Sequence, residues 1–174
     1  MARLPYARLD DADKAPLVGR IVAERGSVLH LYQMLLHSPP LAAGWLAYLT
    51  AVRHELGLSG AQRELIVMRV AIVNGAPYEA DQHRPVALQE GVTPAQLDAL
   101  ADWTAADCYD PTQRAVLRLT DAMTRDIHFA PAVLAEVRTH LGERGTVEAA
   151  ATIAAYNMVS RFLEALQIRG DDAR

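Results

Sequence analysis

Cysteine is almost missing from this 174-residue chain: Cys108 stands alone. A single thiol cannot close an internal disulfide, so a disulfide-stapled secreted scaffold is excluded and a reducing cytoplasm is the expected setting. Lysine is as scarce, with Lys14 the one example, and arginine supplies nearly all the positive charge. The formal net charge is −4. That balance offers no broad basic face for phosphates, so no nucleic-acid partner is expected. Long apolar runs are absent as well. No stretch approaches the roughly eighteen uninterrupted apolar residues that a bilayer span needs, so no membrane partner is expected. The opening "MARLPYARLDDADK" mixes arginines with three early aspartates and has no apolar segment, so no secretory signal is expected. Alternating strand patterns are missing too, because the β-branched residues are scattered.

What remains is helix, and the length suits one domain spanning 1–174 with a core of its own. Ala, Leu, Arg, Glu and Gln dominate, and Gly and Pro punctuate. The spacing predicts helices over about 11–25, ended by Gly26, and about 27–37, stopped by "SPP". Ser38 is placed to cap the next, which Pro39-Pro40 opens and which runs to about His54, closed by Gly57. Ser59 starts a helix to about Val73, with Asn74-Gly75 as its exit; Pro77 opens another that Gly91 ends. "TPAQ" at 93–96 and "DPTQ" at 110–113 carry the cap, first-turn proline and third-position glutamine of a capping box. Further helices are expected over about 131–141 and 146–168, the last ending at Gly170. The expectation is an all-α bundle of about eight or nine helices with short connections and no linker dividing it.

Two of these helices are apolar on nearly every side. "ELIVMRVAIV" carries only Arg69 in its final nine residues, and "VEAAATIAAYNMVSRFLEAL" is rich in small alanines. Such helices are buried, either at the centre of a compact bundle or at a subunit interface. The second alternative makes the chain a homo-oligomer.

The chemistry-bearing residues gather in "NGAPYEADQHRP", 74–85. Glu79 and His83 are i and i+4, one turn apart on one helix face, with Gln82 beside them and Tyr78 one such step from Gln82. The short Asn-Gly connection folds this helix back along the one carrying Glu64, so two carboxylates and an imidazole can converge on one crevice. Histidine titrates near neutrality and a neighbouring carboxylate is easily perturbed, which suits proton transfer. The alternative is a polar contact that merely suits the packing. Pro85 removes a backbone hydrogen bond just past His83 and frees a carbonyl near Asp81.

The stretch "RELIVMRVAIVNGAPYEADQHRPVALQEGVTPAQLDAL" resembles the core of the carboxymuconolactone decarboxylase family, which includes the alkylhydroperoxidase AhpD-like enzymes; "YNMVSRFLEALQI" resembles that family's C-terminal helix. The resemblance implies an AhpD-like helical bundle with its core at about 40–125 and the closing helix at about 146–168. The peroxidase branch has a glutamate, twelve residues later Cys-x-x-Cys, and a histidine four beyond. Here Glu64 and His83 occupy the glutamate and histidine places, but Ala76 and Glu79 occupy the cysteine places. Thiol peroxide reduction needs an attacking thiolate and a resolving thiol, so the resemblance points away from that activity. Cys108, in another segment, is expected to be inert and partly buried.

The remaining branch implies a lyase resembling 4-carboxymuconolactone decarboxylase, working without metal or organic cofactor on a small carboxylated lactone or related organic acid. His83 would return a proton to carbon, oriented by Glu79, with Glu64 setting its tautomer or serving as a second acid. Arg161, with Asn157 one turn earlier, is the candidate grip for a substrate carboxylate; the alternative is an arginine satisfied by helix carbonyls or by Glu64. Tyr78 would line the pocket or pack. The oligomer would be a trimer or hexamer. A non-catalytic small-ligand-binding protein on the same scaffold is the alternative from another class. His30 and His37, seven apart, and the trio Glu64, Glu79 and His83 are weaker as metal ligands. Arg114, Arg118 and Arg125 read as a solvated helix face.

Overall fold

The computed structural model describes residues 2–170 and is all-α. Eight α-helices follow in chain order: α1 (Ala15–Arg25), α2 (His30–Leu35), α3 (Pro39–His54), α4 (Gly60–Asn74), α5 (Pro77–Gln89), α6 (Pro94–Ala99), α7 (Pro111–Arg125) and α8 (Pro131–Leu166). Short 3-10 segments precede α1 at Ala12–Lys14 and follow α6 at Leu100–Ala105. No strand occurs among the described residues.

The helix starts lie where capping chemistry puts them. Ser59, Thr93 and Asp110 each accept a hydrogen bond from the backbone N–H three residues on, and the glutamine there reaches back to the cap. Each exchange satisfies two orphan N–H groups of a first turn. Ser38 behaves otherwise. Its side chain makes no capping bond, and Pro39 and Pro40 alone open α3. Gly26 and Gly75 end α1 and α4 with φ of 78° and 61°, left-handed values that cost a side-chain-bearing residue energy. Pro85 does not interrupt α5, which continues through it to Gln89. Gly142, at φ 67°, breaks α8 close to the expected end at 141. The second predicted helix is shorter than its pattern: α2 ends at Leu35, so His37 lies beyond it.

The chain divides into two compact units, one of residues to Glu55 and from Leu163 onward, the other Leu56–Phe162. In the first, α3 packs on α1 and α2, and Ile21, Leu35, Leu36 and Leu46 are fully buried. Two of its histidines, His30 and His37, serve structure. The His30 ring donates to the Arg169 carbonyl at 2.8 Å and stacks on Tyr6, and His37 donates to the Pro5 carbonyl at 2.7 Å.

The second unit is organised around α4, which packs against α5 and α7. Every residue from Arg63 to Ala71 is buried, so "ELIVMRVAIV" is covered within one chain as far as Ala71, while Ile72 stays exposed. Leu65 and Met68 join Ala87, Leu97, Leu100 and Leu117 in one core, each large side chain contributing about 1.5–3 kcal/mol on burial. The charge in that stretch is paired: Arg69 holds Asp121 of α7 through two bonds, 2.5 and 2.8 Å, and donates to the Leu100 and Ala101 carbonyls. One guanidinium thus ties α4, α7 and the 3-10 segment together.

Candidate active site

The turn at Gly75, followed by Pro77 at the first helical position, aims one face of α5 inward. Glu79 and His83, one turn apart on that face, are both buried, while Asp81 and Gln82 are exposed. Across from them α4 presents Glu64, which has no exposed surface at all.

The imidazole and the α4 carboxylate meet directly. His83 Nδ1–H donates to Glu64 Oε2 at 2.7 Å, while Arg63 Nε donates to Glu64 Oε1 at 3.0 Å. Arg63 continues to Glu90 at 2.9 Å. The other face of His83 meets Tyr156 of α8 edge-on, ring centroids 5.2 Å apart. Burial of Glu64 pushes its carboxyl upward. The bonds and charges of His83 and Arg63 outweigh that push and hold it below the ordinary glutamate range. Glu64 is therefore a buried carboxylate, and its lone pairs fix the His83 proton on Nδ1. Nε2 is left for other business, on a ring whose side chain is 11% exposed.

The structure distributes the other predicted residues differently. Glu79 accepts the Ser160 hydroxyl, so the bond that orients His83 comes from Glu64 across the helices and not from Glu79 along one. Tyr78 is buried at 7% exposure and packs. Arg161 is exposed and donates to Asn157 Oδ1 at 3.0 Å; it satisfies neither helix carbonyls nor Glu64, whose guanidinium partner is Arg63. Asn157 is itself fixed by Asn74 at 3.1 Å and by Thr124 and the Ile153 carbonyl at 3.0 Å. Cys108 is exposed, not partly buried as expected. No group of three or more His, Cys, Asp or Glu among the described residues is arranged to hold a metal ion.

Three members of the site escaped sequence reasoning: Arg63, Tyr156 and Ser160. Tyr156 and Ser160 are an i,i+4 pair of polar side chains inside the apolar "YNMVSRFLEAL", a signal that marks one face of α8 as special. Arg63 adjoins Glu64 in sequence, where side chains ordinarily diverge, and nothing local foretold its bond.

This arrangement can be set against known proteins. Residues 39–122 match the carboxymuconolactone decarboxylase family. The Bacillus subtilis (strain 168) protein YdfG is 31% identical over 70 residues, 40% of this chain and 48% of YdfG. The match thus spans about half the length of that curated relative. Among solved structures, the AhpD-core peroxidase-related protein of Ralstonia eutropha JMP134 superposes with a TM-score of 0.84 at 23% identity, covering 98% of this chain and 93% of that one. The debrominase Bmp8 superposes with a TM-score of 0.78 at 18% identity, covering 95% and 89%. At such identities the likeness speaks for the fold alone. With "RELIVMRVAIVNGAPYEADQHRP" in place and Ala76 and Glu79 where the peroxidase thiols would be, residues 39–122 are similar to the carboxymuconolactone decarboxylase family without a Cys-x-x-Cys pair, in a chain that has the AhpD-like fold.

Proposed function

We propose that this chain is a cofactor-free lyase that decarboxylates a small carboxylated lactone or related organic acid, with His83 as the proton-transferring group. The observation that carries the reading is the 2.7 Å bond from buried Glu64 to His83 Nδ1. It fixes the ring's tautomer and direction before substrate arrives, as an acid–base catalyst needs. In the proposed reaction the bond from carbon to the leaving carboxylate breaks and its electron pair moves onto the unsaturated lactone carbonyl as a dienolate. A protonated His83 gives its Nε2 proton to carbon and regains one from solvent. Carbon dioxide is the only other product, so no oxidant or reductant enters. Glu64, held ionised by Arg63 and His83, balances the imidazolium at each turnover.

Arg161 stays the candidate grip for the substrate carboxylate, since its guanidinium is exposed and only partly engaged by Asn157. Tyr78 and Glu79 are both buried in the first turn of α5 and shape its packing. The thiol peroxidase reading is disfavoured by Ala76 and Glu79 and by a lone Cys108. A purely ligand-binding role is disfavoured by the direct Glu64–His83 contact. A homo-oligomer, trimer or hexamer, is supported by apolar side chains left on the surface of the second unit, Val147 at 68% exposure and Met158 and Ile72 at 37%. No helix among the described residues is long and apolar enough to cross a membrane, and a reducing cytoplasm is supported by the single thiol.

The test is direct. The protein is incubated with 4-carboxymuconolactone and carbon dioxide release is followed, beside a His83→Ala control. Release that disappears in the control supports the lyase; no release from the unaltered protein refutes this substrate.

A further inference from the structure

Helix α7 lays a row of arginines over a cavity of about 370 Å³ in the second unit. Arg114, Arg118 and Arg125 line it together with Trp103, Asp121 and Ala122, and none of these belongs to the Glu64–His83 cluster. The wall charges do not cancel. Asp121 is occupied: it takes two bonds from Arg69 and the Trp103 indole N–H at 3.2 Å, leaving a 3.4 Å contact to Arg125. Arg118 pairs with Glu136, both side chains substantially exposed at 47% and 36%. Arg114 is different. Its guanidinium donates to the carbonyls of Ala106 and Tyr109, neutral acceptors that orient the fork and neutralise nothing. The lining itself sets three arginines against the two acids Asp121 and Asp126, and the partners outside it, Arg69 on Asp121 and Glu136 on Arg118, cancel each other. One positive charge is in excess, on a chain whose net charge is −4.

We propose that this cavity binds a small organic oxyanion, a carboxylate or phosphate carried on an apolar body, independently of the reaction proposed for His83. A guanidinium has five N–H donors in a planar fork that matches such oxyanions, and most of those on Arg114 remain after its two carbonyl bonds. The exposed Arg118–Glu136 pair is weak and exchangeable, so Arg118 can turn to a ligand. Trp103 and Ala122 supply an apolar wall, and the volume lies at the small end of ligand pockets. The sequence reading of these arginines as a solvated face holds for Arg118 and Arg125, which are exposed, and fails for the half-buried Arg114.

The full chain, labelled with ¹⁵N, is titrated at low salt with benzoate, inorganic phosphate and uncharged benzamide. The indole N–H signals of its two tryptophans are followed and assigned with Trp45→Phe. The Trp103 signal is expected to shift saturably with an oxyanion, about tenfold more weakly with benzamide, and less as salt is raised. Arg118→Gln and Arg125→Gln, at exposed side chains, should each weaken binding several-fold and Arg114→Gln should abolish it; if Arg114→Gln fails to fold, the first two decide. Saturation by benzoate alone or by phosphate alone supports the site and identifies which oxyanion it prefers. Equal affinity for benzamide, unchanged affinity in both exposed variants, or no saturable shift with either anion overturns the proposal.

Discussion

Glu64→Gln separates charge from shape at the centre of the site. The carboxylate is wholly buried and accepts from His83 at 2.7 Å and from Arg63 at 3.0 Å. Glutamine keeps the volume but has one acceptor oxygen, so its NH₂ must face either a guanidinium or the Nδ1 proton, donor against donor. Removing one partner of a buried ion pair costs about 3–5 kcal/mol when the other charge is orphaned. Arg63 is not orphaned, because Glu90 still holds it at 2.9 Å, and the expected loss is about 2–4 kcal/mol. For a chain of this size that lowers Tm by roughly 5–15 °C. The sign of the pH dependence follows from the depressed carboxyl. A folded value below the unfolded one gives stability that is fully present above the ordinary glutamate value of 4.5 and is lost as pH falls through the folded value. The gap between the two proteins should therefore be widest near neutrality and close in acid. Thermal unfolding followed by circular dichroism from pH 3 to 8 (~five points across the glutamate range) reads this out. An equal Tm for the two proteins at neutral pH, or a gap that widens in acid, would refute the reasoning.

Two further perturbations test the frame around the site. Asp121→Ala removes the acid that anchors buried Arg69 across α4 and α7, and chemical denaturation should show a loss of about 3–5 kcal/mol; a loss under about 1 kcal/mol would mean the two carbonyl bonds suffice. Burial pushes the Tyr109 hydroxyl up to about 12 from the ordinary 10, with the neighbouring Cys108 thiolate adding to the rise. Its stabilising effect is full below pH 10 and is lost as pH rises toward 12. Tyr109→Phe should flatten that alkaline slope in denaturation midpoints and, by leaving the Gln96 carbonyl without its donor, cost about 1–3 kcal/mol at neutral pH.

The fold was legible because its punctuation is chemical. Capping boxes at Thr93 and Asp110, the helix start at Ser59, and the glycines at 26 and 75 act within four residues, so sequence alone reaches them. α2 was overread because "HLYQMLLH" keeps helical composition past Leu35, where the chain turns toward the prolines. The site was legible to the extent that it is local. Glu79 and His83 share a face by helix geometry, and Glu64 comes opposite because the Gly75 turn is short. What spacing cannot supply is which carboxylate wins the imidazole. That depends on Ser160, from a helix some eighty residues later, binding Glu79 and leaving Glu64 to His83. Arg161 shows the same limit, since its direction is set by Asn157, which three other groups hold in place.

The role proposed for the ring held by Glu64 is to move a proton, and chemical rescue asks that of His83 alone. With 4-carboxymuconolactone as substrate, His83→Ala should lower the rate of carbon dioxide release by about 10²–10⁴-fold, and added free imidazole should restore part of it in proportion to its concentration. A His83→Ala protein that keeps the full rate, or a lost rate that imidazole leaves untouched while the fold is intact, would contradict the account.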